Sequence, residues 1–233
     1  MIRAIIFDVD GTLAETEELH RRAFNDTFRA NGLDWHWSRD AYTRLLQTTG
    51  GKERMRAFVS GDLRQDPAHY PIARLHRQKT DTYGRLVARG VLTLRPGIAA
   101  LIADAYARGI PMAIATTTNR PNVDRLIEAT FQTAPERLFD AIAAGDEVSH
   151  KKPAPDVYDL ALRRLGMPAH AAVALEDSLN GVRSAQAAGL RCIVSPGPYT
   201  AHERFPPDAI RLECFSEIDT VTRLNALLCD KAA

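Results

Sequence analysis

Cysteine is scarce in this chain of 233 residues: there are three, at positions 192, 214 and 229. An odd number without metal-type spacing excludes a disulfide framework and points to reduced thiols in a cytoplasmic compartment. No apolar run approaches the roughly 18 residues that a membrane span needs. The N-terminus enters an apolar segment at once, without the charged-then-apolar start of a signal segment. Net charge is only +1, which speaks against a surface built for nucleic acid. There is no internal repeat, no low-complexity tract and no His/Cys cluster that would favour zinc.

What is present is ordinary globular composition, 45% hydrophobic and 25% charged, enough for a sizeable core. The length is long for one domain and short for two. From Gly90 onward short apolar runs alternate with helical stripes. Pro111–Ala115, Phe139–Ala144, Ala171–Leu175 and Arg191–Ser195 have the texture of buried parallel strands. Ile98–Ala105, a segment through Leu165, a segment between Ser178 and Gly189, and Ile218–Leu228 have the texture of helices. Between residues 15 and 90 there are helical patterns and no convincing strand. Leu19–Phe28 forms the first, and Trp35, Trp37, Tyr42, Leu45 and Leu46 suggest a second. A turn at Thr48–Arg54 opens a third, and Ile72–Arg89 is the fourth. The expected fold is therefore α/β, a parallel sheet flanked by helices over residues 1–14 and 91–233, with a helical insertion over 15–90.

Polar residues collect where strands should end, the edge at which open α/β sheets bind ligands. Ile5-Ile6-Phe7-Asp8-Val9-Asp10-Gly11 delivers two carboxylates to one side of a strand end, where they repel unless something neutralises them. Thr116, Thr117, Thr118 and Asn119 end a second strand, Lys152 follows a third, and Glu176 and Asp177 end a fourth. Asp8, Asp10, Glu176 and Asp177 offer hard oxygen ligands suited to magnesium, and Lys152 adds a point charge for a phosphate. One carboxylate is then placed to attack phosphorus and a second to move a proton, while metal and lysine spread the developing charge. Which carboxylate does which is left open by position alone. In the insertion, the amides of Gly50 and Gly51 beside Lys52 and Arg54 suit an anion, although the same segment reads equally as a helix connector.

Asp8-Val9-Asp10-Gly11-Thr12-Leu13, Thr116, Lys152-Pro153 and Glu176-Asp177 resemble, in order and spacing, the four motifs of the haloacid dehalogenase superfamily phosphatases. The helical insertion resembles that superfamily's C1 cap on its Rossmann-like core. The resemblance implies that Asp8 is the nucleophile and Asp10 the general acid/base, with the Asp10 backbone carbonyl also on the metal. It implies that Thr116 and Lys152 hold the phosphate, and that Asp177 binds Mg2+ directly, with Glu176 beside it or acting through water. Ala14–Asn25, Thr48–Arg54 and Ala115–Asn119 further resemble CbbY-type phosphatases. That likeness implies removal of the C1 phosphate of xylulose 1,5-bisphosphate, an inhibitor of Rubisco, leaving xylulose 5-phosphate. The cap would then hold the second phosphate through Gly50, Gly51, Lys52 and Arg54, with His76, Arg77 and Lys79 on one helix. Glu17 and His20 would meet the sugar hydroxyls. Trp35 and Trp37 are expected in the cap core and Lys151 exposed. The expected partner is a small sugar bisphosphate, and the expected state a cytoplasmic monomer. A β-phosphoglucomutase-like mutase and a phosphoglycolate phosphatase are the enzymatic alternatives. A non-catalytic binder would lack the nucleophile or the lysine, and both are present.

Overall fold

Six short segments pair into one parallel sheet: β1 Ala4–Phe7, β2 Met112–Ala115, β3 Ala141–Ala143, β4 Ala172–Glu176, β5 Arg191–Val194 and β6 Ile210–Arg211. Their order is β3-β2-β1-β4-β5-β6, so the winding reverses beside β1, where β2 and β4 flank it. Every residue of β1 to β4 is buried, the pattern of strands covered on both faces. β6 was not anticipated, because two residues, one of them exposed, carry no periodic pattern. A computed structural model describes residues 1–90 and 92–230. The expected core boundary at residue 91 and the last expected core residues, 231–233, lie outside the described residues. Contacts divide the chain into two units, Met1–Glu15 with Leu92–Ala233, and Thr16–Val91.

The second unit carries α1 Glu17–Ala30, α2 Arg39–Leu45, α3 Gly51–Ala57 and α4 Ile72–Val87. Trp35 and Trp37 precede α2 rather than lying in it. The helix starts after Ser38, whose Oγ accepts from the Ala41 N–H at 3.1 Å. The Asn25 side chain donates to the Trp37 carbonyl at 3.0 Å and accepts from the Trp37 N–H at 2.8 Å. A buried amide thus satisfies both backbone groups of an extended residue that a helix would have claimed. Both indoles are buried, and the Trp37 ring lies 4.5 Å from Phe24, 5.0 Å from Phe28 and 5.5 Å from Phe58. They form the aromatic core of this unit.

In the first unit follow α5 Ile98–Ala107, α6 Arg120–Phe131, α7 Asp156–Leu165, α8 Leu179–Ala187 and α9 Val221–Asp230. Ile218, expected within the last helix, instead ends a short 3-10 turn before it. Strand parity sorts the core. Ile5, Phe7, Ile114, Val173 and Leu175 pack with residues of α5, α6 and α9. Ala4, Ile6, Ala113, Ala115, Ala172 and Ala174 pack with residues of α7 and α8. The alternation continues past the end of β1, which directs Asp8 toward the α7 side. Among the described residues no helix is long and apolar enough to cross a membrane.

Candidate active site

Asp8 leaves β1 with its N–H still bonded to Leu175 of β4, at 3.0 Å. The residue is 6% exposed, and its carboxylate accepts from Lys152 Nζ at 2.6 Å. The same ammonium donates to Glu176 Oε1 at 2.6 Å and to the Ala115 carbonyl at 2.8 Å. Three strand ends, β1, β2 and β4, thus meet on one lysine. Tyr158 of α7 donates its hydroxyl to the same Glu176 oxygen at 2.6 Å, and the Glu176 Oε2 accepts from the Asp177 N–H at 3.3 Å. Both oxygens of Glu176 therefore serve the protein.

Burial pushes the Asp8 carboxyl up, against the lowering pull of the Lys152 ammonium. Burial alone would lower Lys152, but the Asp8 and Glu176 carboxylates outweigh it and hold the ammonium above its usual range. Burial also drives the Tyr158 phenol well up, followed by the charge of Glu176, so it remains a hydrogen-bond donor. Asp8, Glu176 and Asp177 bring oxygens within 4.8 Å of one another, all buried. Among these four side chains, three carboxylates face one ammonium, an imbalance that is costly in a low-dielectric site. A divalent cation relieves it, and an all-oxygen donor set suits a hard ion. The Asp10 side chain is half-buried and stands outside that cluster.

Two glycines make the packing possible. Gly11 has φ +85°, and a Cβ there would lie 2.3 Å from Asp177 Oδ2. At Gly181, in the first turn of α8, a Cβ would lie 1.9 Å from Glu176 Oε2. Gly181→Ala is expected to destabilise the protein by about 1–3 kcal/mol through overpacking. A lower midpoint in urea unfolding checks it; an unchanged midpoint would mean that the Glu176 carboxylate gives way without cost.

The loop after β2 is built from the Thr-Thr-Thr-Asn run. Thr116 is buried, and its Oγ accepts from the Thr118 N–H at 3.1 Å, leaving the hydroxyl proton to point elsewhere. The Thr118 carbonyl accepts from the Gly145 N–H at 2.8 Å, which ties this loop to the one after β3. Asn119 is the N-cap of α6, with its oxygen accepting from the Asn122 N–H at 3.1 Å. Lys151, expected to be exposed, is half-buried and donates to the Gly145 carbonyl at 2.6 Å. Adjacent lysines therefore divide the work, one bracing a loop and one between the carboxylates.

Four of the candidates in the helical unit fall into two networks. Glu17 accepts from the Tyr42 hydroxyl at 2.7 Å, and the Tyr42 oxygen accepts from Arg54 at 3.0 Å. His20 Nδ1 lies 2.6 Å from Lys79 Nζ, and its ring stacks on Tyr83 at 4.0 Å. Glu17 and His20 are neighbours on α1 but work with different partners. Arg54 and Lys79 are buried. Gly50 enters α3 with φ +88°, and Gly51 leaves room for His76, whose Nε2 would lie 2.7 Å from a Cβ there. Lys52 is partly exposed beside them. Arg77 stands apart from Lys79: it is exposed and lines a surface cleft with Arg56, Arg74 and Tyr70.

Sequence reasoning missed Tyr158, which sits in the first turn of α7 on its apolar stripe and reads as core.

A model of the haloacid dehalogenase-like hydrolases matches residues 2–189. CbbY of Cereibacter sphaeroides is 57% identical over 225 residues, 97% of this chain and 97% of that protein. A crystal structure of a CbbY mutant from Rhodobacter sphaeroides in complex with xylulose-(1,5)bisphosphate is 57% identical, with a TM-score of 0.91 over 96% of this chain and 99% of that one. β-Phosphoglucomutase from Clostridium difficile, 16% identical with a TM-score of 0.81 over 100% and 99% of the two chains, shares the fold alone. A family match spanning most of the residues, and a relative this similar from end to end, leave one assignment: the chain belongs to the haloacid dehalogenase-like hydrolases.

Proposed function

We propose that this chain is a magnesium-dependent sugar-bisphosphate phosphatase that removes the C1 phosphate of xylulose 1,5-bisphosphate and leaves xylulose 5-phosphate. The observation that carries the substrate is the 57% identity, over 96% of the chain, to a structure in complex with that bisphosphate. The chemistry is supported by Asp8, whose buried carboxylate is held by Lys152 at 2.6 Å. On this reading an Asp8 oxygen attacks phosphorus and the bond from phosphorus to the C1 oxygen breaks. Asp10 gives that oxygen its proton. The aspartyl-phosphate is then hydrolysed by water, Asp10 taking a proton back, and inorganic phosphate leaves.

Lys152 and the Thr116 hydroxyl bind the phosphoryl oxygens, and Glu176 with Tyr158 keeps Lys152 in place. Asp8, Asp177 and the Asp10 carbonyl would hold Mg2+, which supplies charge stabilisation to the phosphoryl group when bound. In the helical unit, Gly50, Gly51, Lys52 and Arg54 take the distal phosphate, and His20, Glu17, His76 and Lys79 the sugar side. The enzyme works as a cytoplasmic monomer on a small molecule.

The test is phosphate release over pentulose bisphosphates, hexose phosphates and phosphoglycolate, with Mg2+ and with EDTA. β-Glucose 1-phosphate with its bisphosphate primer is included. Release from xylulose 1,5-bisphosphate above the others, lost in EDTA, is expected. Turnover of β-glucose 1-phosphate to the 6-phosphate without net release would replace hydrolysis by mutase chemistry.

A further inference from the structure

Asp177 is gripped from two sides by segments far apart in the chain. On one side Thr200 donates its hydroxyl to Asp177 Oδ2 at 3.2 Å while its Oγ accepts from the Gly197 N–H at 2.9 Å. On the other side is the turn after β1, where Gly11 lies so close that a Cβ would stand 2.3 Å from Asp177 Oδ2. One side chain joins the two turns. Arg95, 8% exposed, donates to the Gly11 carbonyl at 2.8 Å, to the Ser195 carbonyl, to Ser195 Oγ at 2.9 Å and to the Pro196 carbonyl at 3.3 Å. Its Nε pairs with Glu15 at 3.2 Å, and its backbone N–H donates to the Leu13 carbonyl at 2.8 Å. Contacts thus run in a closed ring, from Arg95 through Gly11, Asp177, Thr200 and Gly197 to Pro196 and back to Arg95.

We propose that Arg95 and Thr200 are positioning residues for the Asp177 carboxylate, fixing it in the orientation that a divalent cation requires. This rests on the metal-dependent reading of the site. A carboxylate on a single-bond stem turns easily, and a ligand that must be frozen on binding binds more weakly. Thr200 removes that freedom directly: its Oγ is fixed by the Gly197 N–H, and of the two acceptors within reach of its proton, Asp177 Oδ2 at 3.2 Å is nearer than the Gly197 carbonyl at 3.5 Å. Arg95 acts at one remove. Its planar fork reaches acceptors on both turns at once, which an ammonium on a lysine stem is poorly shaped to do. The apolar face of the guanidinium is covered by the Phe215 ring, 4.9 Å away. A buried guanidinium with this many acceptors resists displacement, so the turn after β1 and the turn after β5 keep their spacing. Partners that orient a metal ligand commonly change affinity by about 10- to 100-fold.

The experiment titrates Mg2+ into the metal-free full chain, without substrate, by calorimetry and by the Mg2+-dependent rise in Tm. Thr200→Val, nearly isosteric and lacking the hydroxyl, is expected to bind Mg2+ about 10- to 100-fold more weakly. Thr200→Ser is expected to restore binding. The Mg2+ midpoint for phosphate release should move with it, while the sugar-phosphate KM at saturating Mg2+ stays put. Mg2+ affinity in Thr200→Val equal to wild type would overturn the proposal. Should Thr200→Val fail to fold, Arg95→Lys carries the same readout: a weakened midpoint supports the role, an unchanged one sinks it. A wild-type chain that binds Mg2+ but releases no phosphate from any sugar phosphate removes the proposed reaction, and the binding comparison still decides the positioning role. Absence of any divalent-ion binding by wild type removes both.

Discussion

Asp8→Asn is expected to abolish phosphate release, by about 10⁴-fold or more, without unfolding the protein. An amide has the shape of the carboxylate and still accepts from Lys152, but it has no charged oxygen to attack phosphorus. Stability gives an independent sign. Because burial holds the native Asp8 carboxyl above its ordinary value, the folded metal-free state binds this proton more tightly than the unfolded chain does. Stability then falls as pH rises from the ordinary carboxylate range through the raised native value. Asp8→Asn removes that titration while Lys152 keeps Glu176 and the Ala115 carbonyl as acceptors, so in EDTA its Tm should fall less than that of wild type as pH rises through this range. Activity near wild type in Asp8→Asn would end the nucleophile assignment. Asp10→Ala is expected to be equally inactive while remaining folded. If its turnover persisted, the proton transfers would have to come from another group.

Lys52→Ala is expected to raise KM for xylulose 1,5-bisphosphate by about 10- to 100-fold, the value of one charge-assisted hydrogen bond to a phosphate. For a substrate with a single phosphate the change should be small, and kcat for either should be little altered, since the residue binds a group that does not react. Steady-state kinetics on the matched pair of substrates decides it. Equal rises in both KM values would assign Lys52 to general charge, not to the distal phosphate. Gly51 belongs to the same test in a different way, because a side chain there meets His76. Lys52→Ala leaves that packing alone, so its effect reads the charge.

Much of the first unit was legible in the sequence because its signals are local. Short apolar runs ending in acid or hydroxyl residues mark parallel strands, and β1, β2, β4 and β5 are close to where those runs lie. The parity of residues along β1 already implies that Asp8 shares a face with Ile6. The helical unit was legible as helices but not in its joints. Trp35 and Trp37 carry helical spacing with Tyr42, yet the Trp37 backbone is taken by Asn25, a partner twelve residues away that no periodicity reveals.

The sequence by itself determined which polar groups lie at the strand ends as candidates, because alternation along a strand and the carboxyl-edge rule act on nearest neighbours. It therefore supplied Asp8, Asp10, Thr116, Lys152, Glu176 and Asp177 as a set. Only the tertiary structure decided what each one touches. Lys152 bridges Asp8 and Glu176, both oxygens of Glu176 are engaged by the protein, and Asp177 is set between Gly11 and Thr200. Arg95 shows the physical reason most plainly. Its value lies in bridging two turns that lie 84 and 100 residues from it along the chain, in opposite directions, and a long-range hydrogen bond leaves no mark on the residues beside it.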